Sequence, residues 1–252
     1  MQKQSAQLTQ FYKDIKKILS TVDNSINGFM GKVPAVEKAM YEEILKLTKQ
    51  LKVDKSGRIK NTIDNYKILS ELRTRLEKVV FTTEYKSAAK KLLKSFDDIN
   101  KVTTDYFATF STSPTATTQD ILKILRQESV NRTALYLGES GVNINVISKV
   151  QEILQTNITS GGSYVQMQAE MKAFIQGDAE NLGAFNKYAN TFVVDGLNTY
   201  ARTYQTLLTE DLDIEWYMYV GSRYAGRQFL DSGHHRSTGQ PRSARRAVLS
   251  LG

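Results

Sequence analysis

The chain has 252 residues, 40% of them hydrophobic, with three prolines, no cysteine and a formal net charge of +8. That length is enough for one large or two small domains with real cores, and the lack of cysteine excludes thiol catalysis, disulfides and every cysteine-based zinc site. The charge is unevenly spread: residues 1–101 carry 21 Lys and Arg against 12 Asp and Glu, residues 102–219 carry 7 against 13, and residues 220–252 carry 6 against 1. Three electrostatically different segments imply different partners. No apolar run reaches the length of a membrane-spanning helix. The opening MQKQSAQLTQ lacks the apolar core of a secretion signal, so synthesis in the cytoplasm of the expressing cell is expected.

Apolar residues at steps of three and four, from Leu8 and Phe11 through Ile15, Ile18, Val22 and Ile26, predict a helix over 6–27 that Asn27, Gly28 and Gly31 end. Pro34 suits a first helical turn, and Val36, Met40, Ile44, Leu47 and Leu51 carry a second helix to Gly57. Ile59 to Val79 predicts a third and Tyr85 to Tyr106 a fourth. Short connections between long amphipathic helices favour antiparallel neighbours, so residues 1–110 read as a basic helical bundle or hairpin.

The Ser/Thr/Pro-rich stretch 111–118, STSPTATT, reads as a linker and domain boundary. Thr117 with Asp120 can cap the next helix, which carries Ile121, Ile124 and Leu125 to about Leu137, where Gly138 and Gly141 close it. Ile144, Ile147, Val150, Ile153 and Leu154 predict another helix, ended by Gly161 and Gly162. Ser163 and Gln166 make a capping box for a helix bearing Val165, Met167, Met171 and Phe174. From Ala189 a stripe through Phe192, Val193, Leu197, Tyr200, Tyr204 and Leu208 predicts a last long helix. After the acidic break Thr209–Asp213 the period changes to two: Ile214, Trp216, Met218 and Val220 alternate with Glu215, Tyr217 and Tyr219, a strand that Gly221 ends. The expected fold is mainly α, with residues 119–221 a helical domain closing in a helix–turn–strand unit, a small α+β element. Residues 222–252, whose basic residues are all Arg and which hold both histidines, read as an Arg-rich flexible tail.

The stretch 188–221, following GVNINVISKVQEILQTNITSGGSYVQMQAEM at 141–171, resembles the minor head proteins of tailed bacteriophages, the Mu F-like, portal-associated head-morphogenesis family. The residues that carry the resemblance are Ala189, Thr191, Asn198, Tyr200, Arg202 and Tyr204, then Trp216, Tyr217, Tyr219 and Gly221, then Arg227 and Phe229. It covers about residues 120–230. Leu230 stands where the family has a cysteine and the pattern fades there; a reading frame shifted near residue 224 is one explanation. The resemblance implies a structural, non-enzymatic minor capsid protein of the virion, present in multiple copies per portal. It implies binding to the portal protein at the vertex and to the capsid interior, and a role in head assembly, DNA packaging or ejection. Tyr200, Arg202, Tyr204, Trp216, Tyr217 and Tyr219 are then the expected portal or capsid contacts.

Catalytic readings find little to work with. His234 and His235 are adjacent in the tail, a poor arrangement for preorganised proton transfer. Asp211, Asp213 and Glu215 match the start of a calcium loop, yet Trp216 occupies the glycine position and Ser222 the position of the closing glutamate; a solvated turn is the alternative. Ser111, Thr112 and Ser113 with Gln168 and Glu170 fit ADP-ribosyltransferase signatures only if they lie on strands, whereas they fall in a linker and on a helix. No phosphate loop occurs. No cofactor and no metal are expected. Lys16, Lys17, Lys90, Lys91, Lys94 and Lys101 can neutralise phosphates without sequence preference, so packaged DNA is a further expected partner, and a basic helical nucleic-acid-binding protein without a virion role is the alternative reading.

Overall fold

The steps of three and four close into helices in the computed structural model, which describes residues 2–109 and 113–213. They are α1 (Gln2–Met30), α2 (Val33–Thr48), α3 (Ile63–Val80), α4 (Thr83–Phe107), α5 (Ala116–Leu137), α6 (Glu139–Val142), α7 (Ser148–Ser160), α8 (Tyr164–Gln176), α9 (Ala184–Asn190) and α10 (Gly196–Asp211). Two π-helical turns, Asn143–Ile147 and Thr191–Asp195, join α6 to α7 and α9 to α10 without a break in helical backbone. The described fold is mainly α, and its backbone pairs outside the helices at the isolated bridges Val53–Ile59, Arg58–Ser163 and Gly177–Leu182. The expected strand 214–221 and the Arg-rich tail lie outside the described residues.

Several ends follow local chemistry as expected. Gly161 ends α7 in the left-handed conformation at φ 66°, and Ser163 Oγ accepts from the Gln166 amide to start α8. Other ends differ. α1 runs through Asn27 and Gly28 to Met30. The N-cap of α5 is Thr115, whose hydroxyl oxygen accepts from the Thr118 amide, so the helix begins inside the Ser/Thr/Pro stretch. α2 stops at Thr48 instead of Gly57, and α3 begins at Ile63 instead of Ile59, because the buried Asn65 side chain gathers the intervening chain: Nδ2 donates to the carbonyls of Lys52 and Lys60 while Oδ1 accepts from the Lys52 amide. Ile59 thereby leaves the helical stripe, and its amide donates to the Gly162 carbonyl at 2.9 Å. The α2–α3 connection is thus docked on the α7–α8 turn.

The helices sort into two groups. α1, α4, α5 and α10 pack together, and α2, α3, α7 and α8 form the second group, with α9 against α1, α2 and α8 between them. α1 and α4 are antiparallel: Phe29 at the end of α1 meets Tyr85 at the start of α4 with centroids 5.6 Å apart, and the Asp14 carboxylate acts on Tyr106 near the end of α4. The expected boundary at 111–118 does not divide the core. Each group takes two helices from either side of it, and one hydrophobic cluster runs from Ile15 to Leu208. The physical reason is that a stripe such as that of α4 is buried on both flanks, by α1 and by α5 with α10, which two helices of an isolated hairpin cannot do.

Candidate functional site

Six residues of the family-like pattern, Ala189, Thr191, Asn198, Tyr200, Arg202 and Tyr204, lie on one continuous helix, α9 through α10, and Ala189, Tyr200 and Tyr204 are spent inside the molecule. Ala189 is buried. Tyr200 is 2% exposed, meets Phe96 of α4 edge-on at 4.8 Å, and its hydroxyl donates to Asn100 Oδ1. Tyr204 is 6% exposed, and its hydroxyl pairs with Thr104 Oγ1 at 2.9 Å. Burial lifts both phenols above the ordinary tyrosine range, so they stay protonated at neutral pH. Tyr200 and Tyr204 therefore fix α10 to α4 and present no ring to solvent. Arg202 lies between them, half-buried. Trp216, Tyr217 and Tyr219 lie outside the described residues.

Asn198 has a backbone task. A π turn skips one i→i−4 bond, and the neighbouring carbonyls need other donors. Asn198 Nδ2 donates to the Val194 carbonyl at 2.8 Å, and in the first π turn Asn145 Nδ2 donates to the Gly141 carbonyl at the same distance. Between the two turns sits an aromatic cluster: Tyr136 stacks on Phe192 at 3.8 Å, and the Tyr188 hydroxyl donates to the Tyr136 carbonyl at 2.6 Å. Its burial pushes the Tyr188 phenol up to about 12. Slipping one residue in the first turn buries Val146 and Ile147 together and turns Ile144, expected on the apolar stripe, out to 68% exposure.

The acidic end of α10 is not simply a solvated turn. Asp211 accepts from the Thr115 amide at 2.7 Å, the Thr115 hydroxyl at 2.6 Å and the Thr118 hydroxyl at 2.7 Å. These bonds clamp the end of α10 to the first turn of α5, and the favourable N-terminal field of α5 adds to them. They hold the Asp211 carboxyl below the ordinary carboxylate range, with the Thr115 hydroxyl the largest cause. A carboxylate depressed on folding stabilises the folded chain above its unfolded pKa, and that stability is lost as pH falls through the folded value. Asp211→Asn is accordingly expected to be less stable than the parent in urea at pH 7, with the gap closing at pH 3; a gap independent of pH would refute the clamp. Both carboxylate oxygens being taken, Asp211 is a poor member of a calcium loop, and Glu215 lies outside the described residues.

The six candidate phosphate-facing lysines are exposed on α1 and α4. Lys101 pairs with Asp105 at 3.6 Å, whereas Lys16, Lys17, Lys90, Lys91 and Lys94 form no ion pair among the described residues. Gln168 and Glu170 lie on α8, where they bond Tyr164 and Asn157. Among the described residues no three His, Asp or Glu side chains gather as metal ligands, and no helix is long and apolar enough to cross a membrane.

One feature gave no sequence signal. A cleft of about 340 Å³ opens between α4 and α5, floored by Phe81, Tyr85, Leu93 and Leu137 and rimmed by Lys86, Lys90 and Glu139. Tyr85 seals its floor by donating from its hydroxyl to the Leu137 carbonyl at 2.7 Å, a pairing 52 residues apart that no local pattern announces. No family model, no curated protein and no solved structure matches the chain.

Proposed function

We propose that the chain is a structural minor head protein of a tailed phage, seated at the portal vertex inside the capsid and acting in head assembly, DNA packaging or ejection rather than in catalysis. The observation that carries this reading is the residue pattern Ala189, Thr191, Asn198, Tyr200, Arg202 and Tyr204 followed by Trp216 to Gly221. Its geometry is what a docking element needs. Ala189, Tyr200 and Tyr204 anchor a helix to the core, Asn198 supports its wide turn, and Asp211 pins its end, so the aromatic segment that follows leaves from a fixed point. Rigid support of this kind lowers the ordering cost of binding. Trp216, Tyr217 and Tyr219, with Arg202, are the proposed portal contacts, of residue types enriched where partners bury one another.

The five unpaired lysines on α1 and α4 support the alternative, a nucleic-acid-binding protein without a virion role. Peptide mass spectrometry of purified particles from the source genome separates the two. Peptides of this chain at low copy relative to the major capsid protein are expected. Their absence from particles, together with retention on DNA from infected-cell lysate at low salt and release at high salt, would overturn the head-protein reading in favour of the alternative.

A further inference from the structure

The cleft between α4 and α5 follows from how the two helices are joined. They run antiparallel and are pinned at two points: Arg126 Nη2 of α5 donates to Asp97 Oδ2 of α4 at 2.8 Å, and the Tyr85 hydroxyl of α4 donates to the Leu137 carbonyl of α5 at 2.7 Å. Along the helices the pins stand about 17 Å apart at 1.5 Å per residue. Between them the facing side chains are short, Ala89 on α4 with Thr133 and Ala134 on α5. Helices held apart by long side chains at both ends cannot close over alanines in the middle, and about 340 Å³ stays open.

The lining gives the cleft a definite chemistry. Tyr85, Ala89 and Leu93 follow at steps of four along α4 and Leu137 faces them, so the body of the gap is apolar. The charged groups stand at its mouth. Lys86 Nζ lies 4.0 Å from Glu139 Oε1, while Lys90, one turn further along α4, forms no ion pair among the described residues. Two ammonium groups against one carboxylate leave a single positive charge beside the apolar gap. A cavity of about 150 Å³ takes one benzene ring, so this volume suits about two rings. A concave apolar gap of this size with a few placed polar groups is the form that small-molecule sites take.

We propose that the α4–α5 cleft binds a small apolar monoanion, a compact body of about ten carbons that fills the gap over Ala89 and Ala134 and carries one carboxylate to Lys90. The charge decides the class. A neutral apolar molecule leaves the Lys90 ammonium unmatched, and a cation is repelled by it. Lys90 can lay its apolar stem along the bound body while its ammonium stays at the wet mouth, next to the carboxylate. The site is independent of whether the chain is a head protein or a nucleic-acid-binding protein.

The test titrates the full-length protein by calorimetry with 2-naphthoate and with its neutral isostere 2-naphthamide. The variants are Lys90→Gln, Ala134→Phe and, as a control at an exposed lysine of α8, Lys172→Gln. The expected result is one saturable site per chain for naphthoate, with the amide bound about fivefold more weakly, the upper end for an exposed ion pair. Lys90→Gln should bring naphthoate down to the affinity of the amide and leave the amide unchanged. Ala134→Phe fills the gap and should abolish both, with a melting temperature at or above the parent's; Lys172→Gln should change neither. The proposal is overturned if naphthoate does not saturate a single site, if acid and amide bind the parent equally, or if a folded Ala134→Phe protein still binds. The Lys90→Gln titrations decide the matter whether or not Ala134→Phe folds: an acid that keeps its advantage over the amide there overturns the assignment.

Discussion

Tyr200→Ala is expected to destabilise the folded chain by about 3–5 kcal/mol, the range for removing a buried aromatic ring, which lowers the melting temperature by about 10 °C for a chain of this size. The ring is 2% exposed and packs edge-on against Phe96 at 4.8 Å, with Tyr204 at 6.0 Å on its other side. Alanine leaves a cavity at the junction of α4 and α10 that two helices fixed by further bonds cannot collapse into. Tyr200→Phe keeps the ring and loses only the bond to Asn100, so its expected cost is about 1 kcal/mol. Thermal and urea unfolding of the two variants check the ratio; a Tyr200→Ala protein that melts with the parent would refute the packing account. The result bears directly on function. Loss of particle incorporation in Tyr200 or Tyr204 alanine variants would report a damaged fold, so the proposed partner contact is properly tested at Trp216, Tyr217 and Tyr219.

What the sequence disclosed and what it hid divide along a physical line. Ends set by one residue acting on its immediate neighbours were legible: the left-handed Gly161, the Ser163 cap on Gln166, the proline in the first turn of α2, the stop at Leu137 before Gly138. The helical stripes were legible too, because a buried face imposes its period on any partner. Which stripe meets which was not, since the apolar period of α4 is the same whether α1 alone or α1 with α5 and α10 covers it. Hence residues 1–110 read as a bundle of their own although the core is shared. Ends set by distant groups were equally hidden: Asn65 closing the α2–α3 connection, and Asp211 reaching across 96 residues to Thr115. The π turns shift a face by one residue, so Ile144 fitted the period and still points outward. Asn145 and Asn198, helical asparagines four residues after the carbonyls they serve, were the available signal. At the candidate site the pattern of residue types was visible, while the fact that Tyr200 and Tyr204 face inward needed the position of α4.

The junction of α2 with α9 carries the second large expected effect. Gly183 precedes α9 with an ordinary φ of −61°, so backbone freedom is not why it is glycine. Close approach is: a Cβ there would overlap the Ile175 carbonyl oxygen and Glu37 Oε1. Neither group can move aside, as Ile175 is fully buried and Glu37 Oε1 accepts from the Asn186 amide at 2.9 Å, capping α9 from another helix. Gly183→Ala is therefore expected to cost about 3 kcal/mol through overpacking, whereas Gly196→Ala, with open space at its Cβ, should gain about 0.5–1 kcal/mol. Glu37 itself sets a pH dependence of opposite sign to that of Asp211. Burial raises its carboxyl above the ordinary 4.5, with the Asn186 bond only partly opposing the shift. The folded chain then holds this proton more tightly than the unfolded chain, so stability falls as pH rises from 4.5 through the raised value. Glu37→Gln keeps an acceptor for Asn186 and removes the buried charge. It should match or exceed the parent in urea at pH 7, and any gain should vanish at pH 4, while Gly183→Ala stays destabilised at both. A Glu37→Gln protein weaker than the parent at pH 7 would mean that the carboxylate is worth more to α9 as an anion than its burial costs.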